Sequence, residues 1–234
     1  MRVALISDSH GNAVGLRAAL DDIGGRDVDL VVSLGDVAQG GPQPLECLDL
    51  IRKAGALTVM GNSDAFLLDA HAGRPREPTT ERHLVQRDWV LSRLSPADVD
   101  YLRGFEPTVQ VALDGLELLC FHGTPGDYDG IVLPTDPPDG FDGTDADLLA
   151  GGHVHIQQVR RVGEAVYVNP GSVGCGYGSV EPEGFHLDAW ASYAIVEAQS
   201  IELYRVPFDL DELARVTHAS GIPMPDHTLS LYRR

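Results

Sequence analysis

The sequence has no run of about eighteen apolar residues that could span a bilayer, no internal repeat and no low-complexity tract. Basic residues are scarce, 17 against 35 acidic, and the formal net charge of -18 repels phosphate backbones and anionic lipid at long range. Nucleic acid and membranes are therefore unexpected partners and a nuclease is disfavoured, whereas a small phosphorylated ligand remains admissible. Cysteine is also scarce. Cys47, Cys120 and Cys175 are odd in number and irregularly spaced, which excludes both a disulfide framework and a thiolate metal cluster and fits a reducing compartment. The opening "MRVALISDSH" turns polar after six residues, too soon for a signal-peptide core, so the expected location is the cytoplasm.

What is present is a repeated strand and helix pattern. A chain of 234 residues with 43% hydrophobic content can bury a full core, and a single domain over 1–234 is expected. Apolar runs at Arg2 to Ser7, Val28 to Leu34 and Ala56 to Met60 alternate with helical spacing at Val14 to Ile23 and Leu45 to Ala54. That alternation predicts parallel strands with function at their carboxyl ends. A helical segment over 65–104, two or three helices, would cap the site or form a dimer surface; a homo-oligomer is one outcome. The second half switches to hairpins, giving the expectation of a parallel half packed on an antiparallel half, with helices on the outer faces. Between them lies a Pro, Gly and Asp rich loop, Gly123 to Asp147, which reads equally as a solvated connection or as a lid.

Polar clusters close the strands. Asp8-Ser9-His10, Gly35-Asp36, Gly61-Asn62-Ser63-Asp64, Phe121-His122-Gly123 and Gly152-His153-Val154-His155 together supply Asp8, His10, Asp36, Asn62, His122, His153 and His155. Carboxylates with neutral imidazoles are ligands for divalent transition metals, and this set exceeds what one ion takes from protein. Two ions sharing Asp36 account for the number, with Asn62 adding an amide oxygen without charge. Manganese, iron, zinc, cobalt and nickel all suit the set. Such a pair lowers the pKa of a bridging water and clamps a phosphoryl oxygen. Taken singly, Asp8 or Asp36 could be a helix cap, but capping does not explain the whole set.

These clusters, in this order, resemble the calcineurin-like metallophosphoesterases, and "NPGSVG" at Asn169 to Gly174 and "GDVAQGGPQP" at Gly35 to Pro44 look like the small bacterial and archaeal phosphodiesterase branch. The resemblance implies an α/β fold, a four-layer α/β/β/α sandwich of two mixed sheets. It implies one metal on Asp8, His10, Asp36 and His155, another on Asp36, Asn62, His122 and His153, and a bridging hydroxide as nucleophile. The activity implied is hydrolysis of phosphate esters; this chain's departures from the family pattern, not the resemblance, favour diesters over monoesters. A non-catalytic metal-binding scaffold that binds protein partners is the alternative.

Two departures from the pattern stand out. Many relatives carry a His after the Asn of the third cluster, to protonate the leaving oxygen or stabilise the transition state; here the residue is Ser63, too weak an acid to donate its proton near neutrality. Ser63 and Asp64 remain the candidate catalytic residues, and Asp64 lacks the partner it has in relatives. The stretch Cys175 to His186 contains no Lys or Arg, so a substrate phosphate would rest on metals and backbone N–H groups. His71, His83, His186, His218 and His227 read as surface or locally hydrogen-bonded residues rather than ligands, with His71 and His83 as substitute acids if one is needed.

Overall fold

The structure, a computed structural model, describes residues 1–74, 80–136, 141, 144–177 and 186–232. Ten strands form two five-stranded mixed sheets. The first sheet takes β1 (Val3–Ile6), β2 (Leu30–Ser33) and β3 (Leu57–Thr58), parallel to one another, and adds the hairpin β9 (Trp190–Glu197) and β10 (Ser200–Pro207) in the order β10-β9-β1-β2-β3. The second takes β4 (Val109–Leu113), β5 (Leu116–Cys120), β6 (Leu148–Ala150), β7 (Gln158–Val162) and β8 (Ala165–Asn169), in the order β4-β5-β6-β8-β7.

Alternation along β1 explains the layering. Val3 and Leu5 join the apolar layer between the sheets, with Leu34, Val111, Leu118 and Cys120, while Ala4 and Ile6 face the helices. That second face is covered by α1 (Ala13–Ile23), α2 (Pro44–Lys53), α3 (Asn62–His71), α4 (Glu81–Leu91), α5 (Pro96–Arg103) and α6 (Leu210–Ser220), through residues such as Leu16, Leu48, Leu67, Val90, Leu102 and Leu213. A short α7 (Pro225–Ser230) follows α6.

The α/β class with two mixed sheets agrees with the sequence reading, and four details differ. The sheets do not divide into a parallel and an antiparallel half. β9 pairs antiparallel with β1, bringing the C-terminal hairpin into the first sheet, and β5, β6 and β8 run parallel inside the second. The outer face of the second sheet is covered, among the described residues, by loop rather than helix: Val132 and Phe141 pack on Phe121, Leu149 and Tyr167. The 123–147 loop is thus not merely solvated, though its residues 137–140 and 142–143 lie outside the described set. The helical segment begins at Asn62 rather than 65, because Gly61 ends the extended backbone and Asp64 accepts from its N–H. The fourth is α7, which is too short and polar to show a helical period.

Candidate metal centre

The strand ends bring all seven candidate ligands to one edge of the first sheet and the facing edge of the second. Backbone bonds fix the loops: Asp8 N–H donates to Gly35 O at 3.0 Å and His10 N–H to Asp36 O at 2.9 Å, locking the turn after β1 to the turn after β2. Asn169 ties in the turn after β6 by donating Nδ2 to Gly152 O at 2.6 Å, and Ser172 Oγ donates to Asp8 O at 2.8 Å. The "NPGSVG" run therefore braces the site from behind.

Five of these residues have left-handed backbone, Asp8 (φ 56°), His10 (φ 44°), Asp36 (φ 56°), His153 (φ 66°) and His155 (φ 57°). Outside glycine this conformation is uncommon and costs about 1–3 kcal/mol each, so the fold holds strain here to turn successive side chains to one point. Gly61 makes room for that convergence, since a Cβ there would lie 2.1 Å from Asp36 Oδ1.

Three imidazoles are held in one tautomer. Nδ1 of His10 donates to Gln39 O (2.8 Å), that of His155 to Cys175 O (2.8 Å) and that of His122 to Leu34 O (2.6 Å). Each Nε2 then turns a lone pair inward unless it takes up a proton. His10 Nε2 and His155 Nε2 lie 3.2 Å apart, His155 Nε2 is 3.2 Å from Asp8 Oδ1, and His10 Nε2 is 3.4 Å from Asp36 Oδ2. On the other side His122 Nε2 is 3.0 Å from Asn62 Oδ1 and 3.5 Å from Asp36 Oδ1. The His153 ring stands edge-on to His122, 5.1 Å between centroids.

So many converging lone pairs need a cation. Asp8 Oδ1 is fully buried and accepts no hydrogen bond of good geometry, which leaves an orphaned oxygen where a metal ion would fit. Two groups have ligand atoms mutually within 4.8 Å: Asp8, His10 and His155, and Asp8, Asp36 and His122.

Without a metal, protons answer the same demand. Burial opposes charge on His122, but Asp36 overrides it and holds the imidazole up at about 10. Burial likewise opposes charge on His155, and Asp8 raises it. Burial works against the Asp36 and Asp8 carboxylates too, yet His122 keeps the first and His155 the second well below the usual range. Burial and the neighbouring His122 lower the pKa of His153.

Asp64 and Ser63 both act on Asp36. The buried Asp64 carboxylate accepts from the N–H groups of Asp36 (2.8 Å), Val37 (3.0 Å) and Gly61 (3.2 Å), so its partner is backbone rather than an imidazole. Burial and the Asp36 charge push it up to about 7. It has no surface exposure and no path to a substrate. Ser63 donates N–H to Asp36 Oδ1 at 2.8 Å and Oγ–H to Asp36 Oδ2 at 2.7 Å. Neither Asp8 nor Asp36 is a cap; Asn12 caps α1.

A cavity of about 610 Å3 opens over the cluster. His10, Asp36, Asn62, Ser63, His153 and His155 line it together with residues the sequence did not point to: Phe66, Arg82 and Gln86 from the helical segment, and His227, Leu231 and Tyr232 from the C-terminal end. Tyr177 stacks on His155 at 4.9 Å between centroids. His83 and His227, read from sequence as surface or locally hydrogen-bonded residues, are exposed and bonded to Arg82, and they also border this cavity, where Arg82 supplies a basic group that the 175–186 stretch lacks. Only the cavity, which joins elements some 145 residues apart in sequence, places them near the cluster. Cys175 also lines it, but burial pushes its thiol up to about 12, so it is no nucleophile near neutrality.

Comparison with known proteins follows the same lines. The sequence profile of the calcineurin-like phosphoesterase superfamily domain matches residues 1–198. A protein of Methanocaldococcus jannaschii, itself uncharacterised, is 26% identical over 228 residues, covering 89% of this chain and 88% of its own. The crystal structure of a metallophosphoesterase from Sphaerobacter thermophilus superposes with a TM-score of 0.74 at 27% identity, covering 99% of this chain and 98% of that one. A hypothetical protein from Pyrococcus horikoshii OT3 shares the fold at a TM-score of 0.83 and 19% identity, over 98% and 96% of the two chains.

Proposed function

Since the chain belongs to the calcineurin-like phosphoesterase superfamily and is on that footing a metal-dependent phosphoester hydrolase, we propose that it works with two divalent ions and prefers small phosphodiesters to monoesters. One observation carries the two-ion reading: the oxygens of Asp36 face opposite ways, Oδ2 at 3.4 Å from His10 Nε2 and Oδ1 at 3.5 Å from His122 Nε2. Asp8, His10 and His155 would complete one set around Asp36; Asn62, His122 and His153 the other. Ions bound there would supply Lewis acidity toward a phosphoryl oxygen and acidify a water molecule.

The chain's own part is positioning. Carbonyl bonds at Nδ1 aim three imidazoles, Asn62 adds an oxygen without charge, and Asp64 fixes the backbone that presents Asp36. In the hydrolysis a water oxygen bonds to phosphorus, the ester P–O bond breaks, and the leaving oxygen takes a proton. Ser63 is not the source of that proton, because its hydroxyl is a weak acid already engaged with Asp36. This favours esters whose leaving group departs unprotonated. The diester preference rests on sequence: Cys175 to His186 contains no Lys or Arg to neutralise a monoester dianion.

The test is to strip the protein of metal, restore manganese, and compare bis(4-nitrophenyl) phosphate with 4-nitrophenyl phosphate, using Asp36→Asn as the blank; Asn tolerates the φ of 56° at that position. Manganese-dependent cleavage, faster on the diester and abolished in the variant, is expected. No turnover with any divalent metal contradicts the reading.

A further inference from the structure

The cavity extends past the metal cluster to a second polar group. Arg82 and His83, in the first turn of α4, line it beside His227 of α7. The Arg82 guanidinium contacts His227 Nε2 through Nη1 and lies 3.4 Å from His83 Nε2 through Nη2. Both imidazole nitrogens accept from it, and burial together with the Arg82 charge lowers the pKa of His83. Among the described residues no carboxylate pairs with Arg82, as with Arg17, Arg93, Arg160, Arg161 and Arg205, but of these only Arg82 lines the cavity. In a chain of charge -18, a half-buried guanidinium whose bonds go to two imidazole nitrogens rather than to a carboxylate keeps its charge uncompensated and has further N–H donors for an anion. A cavity of about 610 Å3 is within the range of small-molecule sites and can seat a ligand that touches both ends.

We propose that Arg82, steadied by His83 and His227, binds a second phosphate on the substrate, so that the favoured substrates are small phosphodiesters carrying another phosphate group beyond the scissile bond. The inference rests on the phosphoesterase reading. A guanidinium offers two parallel N–H donors to a phosphate, and the adjacent imidazoles can turn toward its third terminal oxygen. Apolar walls from Phe66, Leu213 and Leu231 leave room for an organic body between the two anionic ends.

The test uses the manganese-loaded protein and a matched pair, the 4-nitrophenyl ester of thymidine 5'-phosphate and the same ester bearing a 3'-phosphate. The wild type is expected to show kcat/KM at least about tenfold higher on the doubly phosphorylated ester, mostly through KM, as one charge-assisted bidentate contact allows. Arg82→Ala should bring that ratio close to one, and Arg82→Lys should retain part of it. Turnover of both esters without preference overturns the proposal alone, as does an Arg82→Ala variant that keeps the wild-type ratio. Turnover of neither ester with any divalent metal overturns the phosphoesterase reading and this inference with it.

Discussion

At the scale of single residues, Ser63 and Asp64 explain how a site without an imidazole at position 63 is still organised around Asp36. Ser63 gives Asp36 two hydrogen bonds, and one to a charged partner is worth about 1.5–3 kcal/mol. Ser63→Ala, which keeps the backbone bond, should lower kcat/KM on an aryl diester by about tenfold; an unchanged value would remove Ser63 from the account. Because nothing at that position donates a proton, aryl diesters should exceed alkyl diesters by roughly 10²-fold or more, the usual worth of a general acid. Equal rates would show that another acid stands in the cavity. Asp64→Ala strands the N–H groups of Asp36, Val37 and Gly61 and should cost about 3 kcal/mol or more, read as a lower urea midpoint at unchanged m. The ligand identities were legible in sequence as polar clusters after apolar runs. The left-handed backbone at five of them was not, since Asp and His carry no local signal for a conformation imposed by the bonds between neighbouring turns.

At the scale of elements, periodicity gave β1, α1, α2 and the hairpins near their observed bounds, because each buries a face with a clear period. It missed where the hairpin of β9 and β10 goes, since strand partners are set by tertiary packing and not by local pattern. It also could not tell a lid from a solvated connection in the 123–147 loop. Here the buried Val132 and Phe141 cover the second sheet, pinned by Arg160 donating to Asp136 O at 2.6 Å, while Asp129 of the same loop lines the cavity. Phe141→Ala should therefore cost about 3–5 kcal/mol of stability, as buried aromatic truncations do. The measurement is urea unfolding together with KM on an aryl diester. A large rise in KM with stability unchanged would restore the lid.

At the scale of the molecule, the same convergence that suits metal ions makes the metal-free protein sensitive to pH. His122 is held at about 10 against an unperturbed 6.5, so its charged form is favoured by folding. That stabilisation is fully present below pH 6.5 and is lost as pH rises through about 10. Asp64, raised from 3.8 to about 7, acts in the same direction: its contribution is present below 3.8 and lost through about 7. In chelator, the urea midpoint should fall between pH 6.5 and 10, whereas manganese affinity should rise over that interval as protons leave the ligand nitrogens. A midpoint that climbs with pH in chelator would contradict the assigned pairing of His122 with Asp36. Among the described residues no helix is long and apolar enough to cross a membrane.

The most direct measurement is the metal content of manganese-loaded protein after gel filtration, wild type beside Asp36→Asn. If Asp36 joins two sites, the wild type retains about two ions per chain and the variant less than one. A wild type that retains one ion or none, or a variant that still holds two, would contradict the shared-carboxylate centre.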